Sequence, residues 1–316
     1  MFFSKIIASG SYLPKKILTN EDLAKMVDTS DEWIVSRTGI KQRHIAEENE
    51  KTTDLAMQAA LAALKKANLT SADIDGIVLA TTTPDLVFPS SASILQRKLG
   101  ASKAFAYDVQ AVCSGFIYAL FNADSIIRSG RAERILVIGA ETFSRILNWQ
   151  DRNTCVLFGD GAGAVILEKT AENPIDGGSG IIDVRVFTDG NYTDELRTTE
   201  GANPYVVMNG SEVFKHAVNN LASVADLILE KNNLTKEDVN WLVPHQANLR
   251  IINAMGKKLH LDENKVVITI DKHANTSAAS IPLALDSAFD KIKKGDLVLM
   301  EAMGGGFTWG AALFRM

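Results

Sequence analysis

The segment NLTSADIDGIV, residues 68–78, returns as NLTKEDVNWLV at residues 233–243. In both copies a polar turn feeds an apolar run, which reads as the entry to a buried strand. Matches continue on the C-terminal side in the same order. ERILVIGAE (133–141) is answered by GDLVLMEAM (295–303), with Ile135 set against Leu297, and GAGAVILE (161–168) is answered by WGAALFRM (309–316). A helix precedes each copy. Thr53 can cap the first, whose apolar face uses Leu55, Ala59, Ala62 and Ala63. The second, Ser211 to Glu230, carries Val213, Ala217, Leu221, Val224 and Ile228 on one face.

A duplicated α/β unit of this length predicts two sheets packed as pseudo-symmetric halves, residues 1–170 and 171–316. Their strand exits would face one shared cleft. Lys5 to Ala8, Lys103 to Val109, Arg134 to Ala140, Ala162 to Leu167 and Val266 to Ile270 read as further strands. The near-continuous apolar runs among them are the mark of strands covered on both faces. A turn around Pro14 leads to a polar helix near Asn20 to Met26. No low-complexity linker separates the halves, so a single body is expected.

Composition bounds the function. The 316 residues are 46% hydrophobic and 22% charged, ordinary values for a globular protein, and the net charge of -5 argues against a generic nucleic-acid binder. Two cysteines, Cys113 and Cys155, cannot build a disulfide framework and fit a reducing compartment. Phe2, Phe3, Ile6 and Ile7 are too interrupted for a signal-peptide core, and no run approaches a membrane span. A cytoplasmic protein is expected.

The chemistry gathers at strand exits. DVQAVCSGFI (108–117) ends an apolar run, shows a cysteine and opens a helix. A thiol at a helix N-terminus is favoured as thiolate, against a free pKa of about 8.5. On that pattern alone a small buried hydrophobe is an equal reading for Cys113. The strand after the second NLT turn ends in WLVPHQAN, which places His245 at its exit. Counting back from the matched strands puts Cys113 opposite Asn275. Trp33 and Arg37 are four apart and would share a helix face, where they could sandwich a flat base. An Arg stem covering a core Trp is the commoner arrangement. FGDGAGA (158–164) lacks dinucleotide-loop spacing and reads as a turn into a strand. His44, His216, His260 and His273 show no metal-ligand spacing, and no metal is expected.

VQAVCSGF, VPHQANLRI, HANTSAASIPLAL and MGGGFTWG together resemble β-ketoacyl-acyl-carrier-protein synthase III, from the first strand to the C-terminus. The resemblance implies a thiolase-like α/β fold, with duplicated halves and mixed sheets layered α-β-α-β-α. It implies a catalytic triad of Cys113, His245 and Asn275. Cys113 would take the acyl group from acetyl-CoA; the acyl-enzyme would then meet malonyl-carrier protein, whose decarboxylation yields an enolate. The product would be acetoacetyl-carrier protein, the start of fatty acid biosynthesis. His245 and Asn275 would donate to the malonyl thioester oxygen, and the backbone N–H groups of Cys113 and Gly305 would form the acyl oxyanion hole. Asn275 in the third position separates this pattern from elongating enzymes with two histidines, and Cys155 lies outside the motifs that would make it a thiolase's second cysteine.

The same resemblance implies CoA-binding roles for Thr29, Trp33, Arg37, Arg152, Gly210 and Asn248. Phe88, in TPDLVFPSSA, would close the acyl pocket of a partner in a homodimer. Met303 would line the pocket where close relatives often carry Phe, which bears on primer length. Lys215, Arg250, Lys257 and Lys258 would dock the acidic carrier protein; on charge alone they read as a solvated helix face. Acyl-CoA is a substrate, and no cofactor is implied. Two rival classes are a Cys-His-Asn hydrolase, which the repeat and the missing peptidase cysteine signature oppose, and a noncatalytic acyl-binding module.

Overall fold

The computed structural model describes residues 2–316. Its first part runs β1 (Phe3–Tyr12), β2 (Lys16–Thr19), α1 (Asn20–Ala24), α2 (Asp31–Thr38), β3 (Gln42–Ile45), α3 (Thr52–Ala67), β4 (Gly76–Ala80), α4 (Ser91–Leu99), β5 (Phe105–Val109), α5 (Gly115–Arg128), β6 (Arg134–Glu141), α6 (Arg152–Cys155) and β7 (Gly161–Thr170). The rest runs β8 (Gly180–Thr188), β9 (Leu196–Thr198), β10 (Val206–Met208), α7 (Gly210–Lys231), β11 (Trp241–Pro244), α8 (Leu249–Lys258), α9 (Ile270–His273), α10 (Ser280–Ala288), β12 (Leu297–Gly304) and β13 (Thr308–Arg315).

Two mixed sheets form the body. One has the order β1-β7-β6-β4-β5 and the other β11-β12-β13-β8. Each holds a parallel pair, β4·β6 in the first and β11·β12 at the edge of the second, followed by an antiparallel return, β7 or β13. Helices α5 and α10 lie between the sheets: Phe116, Leu120, Ile281 and Leu285 share one core with Val78 and Val137 of one sheet and Val243 and Met300 of the other. Helices α3 and α4 cover the outer face of the first sheet, and α7 and α8 that of the second. The layering is therefore α-β-α-β-α. Strands β4 and β12 are buried at every residue, which accounts for their apolar runs, broken in β12 only by Glu301.

The backbone corrects several local expectations. Helix α3 is capped at Lys51 rather than Thr53, and the Thr53 hydroxyl instead donates to Asp85 at 2.5 Å. Val266 to Ile270 is not a strand; it makes one isolated bridge, Leu242 with Val266. Val267 N–H donates to Leu242 O at 2.9 Å, and further backbone partners of the segment come from one side chain. Gln246 Nε2 donates to Val267 O at 3.1 Å, and Gln246 Oε1 accepts from the Thr269 and Ile270 N–H groups at 2.8 and 3.1 Å. A buried amide thus takes the place of a sheet edge.

The repeat is also one residue out of register on its central strand. Gly76 pairs with Ile135, while its counterpart Trp241 pairs with Val298, not Leu297. Ile135 and Val298 both face the shared core between the sheets, whereas Leu297 faces α7. A slip of one would exchange the two faces of a strand. The helix entries are offset further. Val112–Ser114 and Ser277–Ala279 are matching 3₁₀ turns, and each opens on a left-handed residue, Val112 (φ +48°) and Ser277 (φ +50°). Cys113 therefore stands opposite Ala278, and Asn275 opposite Gln110.

Candidate active site

Cys113 occupies the 3₁₀ turn between β5 and α5. The turn is laced to β13: Ser114 Oγ lies 2.8 Å from both Ala111 O and Thr308 Oγ1. The end of β12 passes directly beneath it. A Cβ on Gly304 would stand 2.6 Å from the Cys113 amide nitrogen, so only glycine allows this approach. Cys113 is buried, and burial pushes its thiol up to about 12; the charge of Glu141 adds to this, and the nearby Ser277 hydroxyl opposes it. Burial thus favours the neutral thiol. The start of α5, which from position would favour a thiolate, acts against this burial.

His245 leaves the end of β11. Its backbone N–H donates to Glu301 O at 2.8 Å, and Nδ1 lies 2.5 Å from Ser280 Oγ. Burial lowers its pKa to about 3, so the ring is neutral. Gln246, next in sequence, has Nε2 and Oε1 fully engaged and locks the loop behind the histidine.

Asn275 is held by strand-like bonds, its N–H to Leu157 O at 2.9 Å and its carbonyl from Gly159 N–H at 3.0 Å. Its Oδ1 accepts from Ser277 N–H at 2.8 Å. The carboxamide is thereby oriented with its oxygen engaged and its NH₂ left to donate.

Cys113, His245 and Asn275 line one cavity of about 140 Å³, together with Gly210, Asn248 and Met303. A smaller cavity of about 30 Å³ adjoins it, sharing His245 and Met303 and reaching Leu221. A neutral thiol, a neutral imidazole and an oriented amide around one small space suit a nucleophile that carries a group past two hydrogen-bond donors.

The remaining expected residues fall into separate places. Trp33 is half-buried on α2, with the Arg37 guanidinium 4.7 Å and the Arg152 guanidinium 5.1 Å from its ring centre. Arg152 also donates to Asp28 O at 2.8 Å, and the Thr29 hydroxyl nearby in sequence is buried with no partner among the described residues. Asn248 caps α8 and donates to Arg37 O at 3.0 Å, which joins this cluster to the rim of the cavity. Gly305 packs under Leu196, where a Cβ would stand 2.6 Å from its carbonyl oxygen; Gly304 is the glycine that backs the Cys113 amide.

Phe88 does not line the cavity. It is 84% exposed beside Val87 at 97%. Lys215 pairs with Glu212 at 3.7 Å, Arg250 covers the Phe214 ring at 5.1 Å, and Lys257 and Lys258 are exposed at the end of α8. Cys155 is buried in the core of the second sheet's outer layer. Among the described residues no three His, Cys, Asp or Glu side chains are grouped to hold a metal.

Sequence reasoning missed Ser280, Gln246, Glu141 and Glu301. The first two lie inside quoted motifs, HANTSAASIPLAL and VPHQANLRI, so position was available and role was not. Glu141 ends β6 and accepts from Thr82 N–H at 3.1 Å, Thr83 N–H at 3.1 Å and Thr83 Oγ1 at 2.5 Å. Carboxylates inside apolar strands are the only signal the sequence holds for it and for Glu301.

Residues 107–190 match the family model described as 3-oxoacyl-[acyl-carrier-protein (ACP)] synthase III, and residues 229–316 match the model of its C-terminal part. The beta-ketoacyl-[acyl-carrier-protein] synthase III of Brucella suis (strain ATCC 23445 / NCTC 10510) is 55% identical over 322 residues, covering 100% of both chains. The crystal structure of 3-oxoacyl-[acyl-carrier-protein] synthase III from Aquifex aeolicus VF5 superposes with a TM-score of 0.94 at 51% identity, over 99% of this chain and 100% of that one. The Thermus thermophilus beta-ketoacyl-[acyl-carrier-protein] synthase III gives 0.93 at 42% identity, over 99% of each. The thiolase-like layered fold is common to this chain and these structures.

Proposed function

The chain belongs to the 3-oxoacyl-[acyl-carrier-protein] synthase III family, and from that premise we propose how its residues divide the reaction. The protein is a cofactor-independent acyltransferase of fatty acid initiation, a condensing enzyme that uses acyl-CoA as a substrate and malonyl-carrier protein as the extender. In our reading the primer is acetyl-CoA. Cys113 Sγ attacks the thioester carbonyl, the S–H proton leaves as the new C–S bond forms, and CoA departs as the free thiol. Malonyl-carrier protein then loses CO₂, and the resulting enolate carbon displaces Cys113 to give acetoacetyl-carrier protein. His245 and Asn275 donate to the enolate oxygen, each worth about 3 kcal/mol by comparison with similar donors. The N–H groups of Cys113 and Gly305 receive the acyl oxyanion.

The observation that supports this reading is the shared 140 Å³ cavity with its neutral thiol and neutral imidazole. A ring whose pKa is about 3 stays an uncharged donor throughout the working range. Trp33, flanked by Arg37 and Arg152, would stack the adenine, with Thr29 beside it; Gly210 and Asn248 would line the pantetheine arm. Lys215, Arg250, Lys257 and Lys258 would dock the carrier protein, drawing an acidic partner to a chain whose net charge is -5. Met303 bounds the acyl end, and Phe88 would close that of a second copy in a homodimer. We further propose a cytoplasmic enzyme built of an N-terminal half, 1–170, and a C-terminal half, 171–316. No helix among the described residues is long and apolar enough to cross a membrane.

Intact-protein mass spectrometry separates the two half-reactions. Acetyl-CoA should add an acetyl group to the wild type and none to Cys113→Ser. Asn275→Ala should still acylate, yet lose about 100-fold or more in malonyl decarboxylation. Equal loss of both half-reactions in Asn275→Ala would sink the division of labour, and steady peptide cleavage without CoA release would favour a hydrolase.

A further inference from the structure

His245 reaches the cavity as a neutral ring, so its usefulness depends on which nitrogen carries the hydrogen. The neighbours of the ring decide this. Nδ1 lies 2.5 Å from Ser280 Oγ, and the same oxygen lies 3.4 Å from the Gln246 amide nitrogen, whose N–H points to it. Among the described residues Ser280 Oγ has no third hydrogen-bond partner. A serine hydroxyl has one hydrogen to give and two lone pairs to receive with. With Gln246 N–H occupying a lone pair, the hydroxyl hydrogen has a single place to go, the Nδ1 lone pair.

The opposite tautomer would leave the serine hydrogen without an acceptor, in a site where Ser280 is 2% exposed. It would also turn the bare lone pair of Nε2 toward the cavity, against an oxygen gaining negative charge. Both partners are rigid. Ser280 begins α10, whose first turns pack between the sheets, and the His245 backbone is tied to Glu301 O on one side and followed by the Gln246 clamp on the other.

We infer that Ser280 is a positioning residue whose hydroxyl donates to Nδ1 of His245 and so holds the imidazole with its Nε2–H facing the cavity. The inference rests on the donor role proposed above for His245, but the tautomer can be measured without reference to activity. Only five histidines are present, so selective ¹⁵N-histidine labelling resolves them, and the spectrum of His245→Asn identifies the signals of His245. The wild type should show a bare Nδ1 and a protonated Nε2.

Ser280→Ala should weaken or reverse that preference and slow malonyl decarboxylation by about 10- to 100-fold, the usual range for loss of an orienting neighbour. Acetylation of Cys113 should stay within about threefold, and Ser280→Thr, which keeps the hydroxyl, should restore the tautomer. A protonated Nδ1 in the wild type overturns the assignment without any variant. So does an unchanged tautomer in a Ser280→Ala protein whose melting shows it to be folded. A lost tautomer with undiminished decarboxylation upholds the role of Ser280 and removes His245 from the donor role instead.

Discussion

Glu301 is a carboxyl group fully buried on β12, and neither of its oxygens has a hydrogen-bond partner among the described residues. Nothing nearby offsets the lost hydration, and burial alone raises its pKa from 4.5 to about 8. Glu141 is equally buried but is met by the Thr82 and Thr83 donors, and its pKa rises less far, to about 7. A raised folded pKa means that the folded state binds the proton more tightly than the unfolded chain. The resulting stability is complete below about pH 4.5 and is lost as the pH climbs toward about 8, at up to about 1.4 kcal/mol per pH unit for one group. Glu301→Gln has the shape of the neutral acid and cannot ionise. Its melting temperature should therefore fall less than that of the wild type between pH 5 and 9. Parallel melting curves across that range would show that Glu301 is not held protonated. His245 contributes with the opposite sign: its pKa of about 3 lies below the ordinary 6.5, so its share is present above 6.5 and fades as the pH falls toward 3.

At the scale of elements, the site depends on strands crossing turns at backbone contact. Gly139 on β6 meets the turn Ser277–Ala279, and Gly304 on β12 meets the turn Val112–Ser114. A Cβ at either would stand 2.1 Å from Ala278 O or 2.6 Å from Cys113 N. Neither obstacle is a flexible side chain, so the turn itself must move. Gly304→Ala should displace Cys113, the proposed nucleophile, by a fraction of an ångström or more and slow its acetylation by about 100-fold, since a misplacement near 1 Å costs that much. Gly190→Ala, with open space around its Cβ, should acylate as the wild type does. Equal acylation rates in Gly304→Ala and the wild type would show that the turn is not pinned by the strand. Elements also mark where reading the sequence stops. Apolar periodicity found β4, β6, β7, α5 and α7, because burial on known faces leaves a period. It misread Val266 to Ile270, which is as apolar as a strand but bonds to the side chain of Gln246, an interaction that leaves no period at all.

Across the whole molecule, the duplication was legible and its register was not. Matching ERILVIGAE to GDLVLMEAM residue for residue aligned Ile135 with Leu297, although the sheets pair Ile135 as they pair Val298. Alternation survives a slip of one in a fully buried strand, because both faces are apolar. The three residues proposed to react were singled out by motif rather than by symmetry: Cys113 and Asn275 are not mates in the fold, yet both reach the same cavity. Charge, exposure and cavity shape belong to the assembled chain, and one of these points beyond it. Leu86, Val87 and Phe88 form a run 49%, 97% and 84% exposed at the tip of the loop after β4. Three consecutive apolar side chains in water are an unstable choice for a lone subunit, and a second copy is the occupant that the proposed homodimer supplies. Burying one such ring contributes about 1.5–3 kcal/mol, or about 10- to 100-fold in a dissociation constant, and a symmetric dimer counts each substitution twice. Phe88→Asp should therefore raise the dimer dissociation constant at least 100-fold, measured by sedimentation equilibrium across micromolar concentrations. Phe88→Leu should raise it less than tenfold. A wild-type protein that sediments as a monomer would remove the dimer. A dimer indifferent to Phe88→Asp would place the interface elsewhere and leave Phe88 no route to a neighbour's acyl pocket.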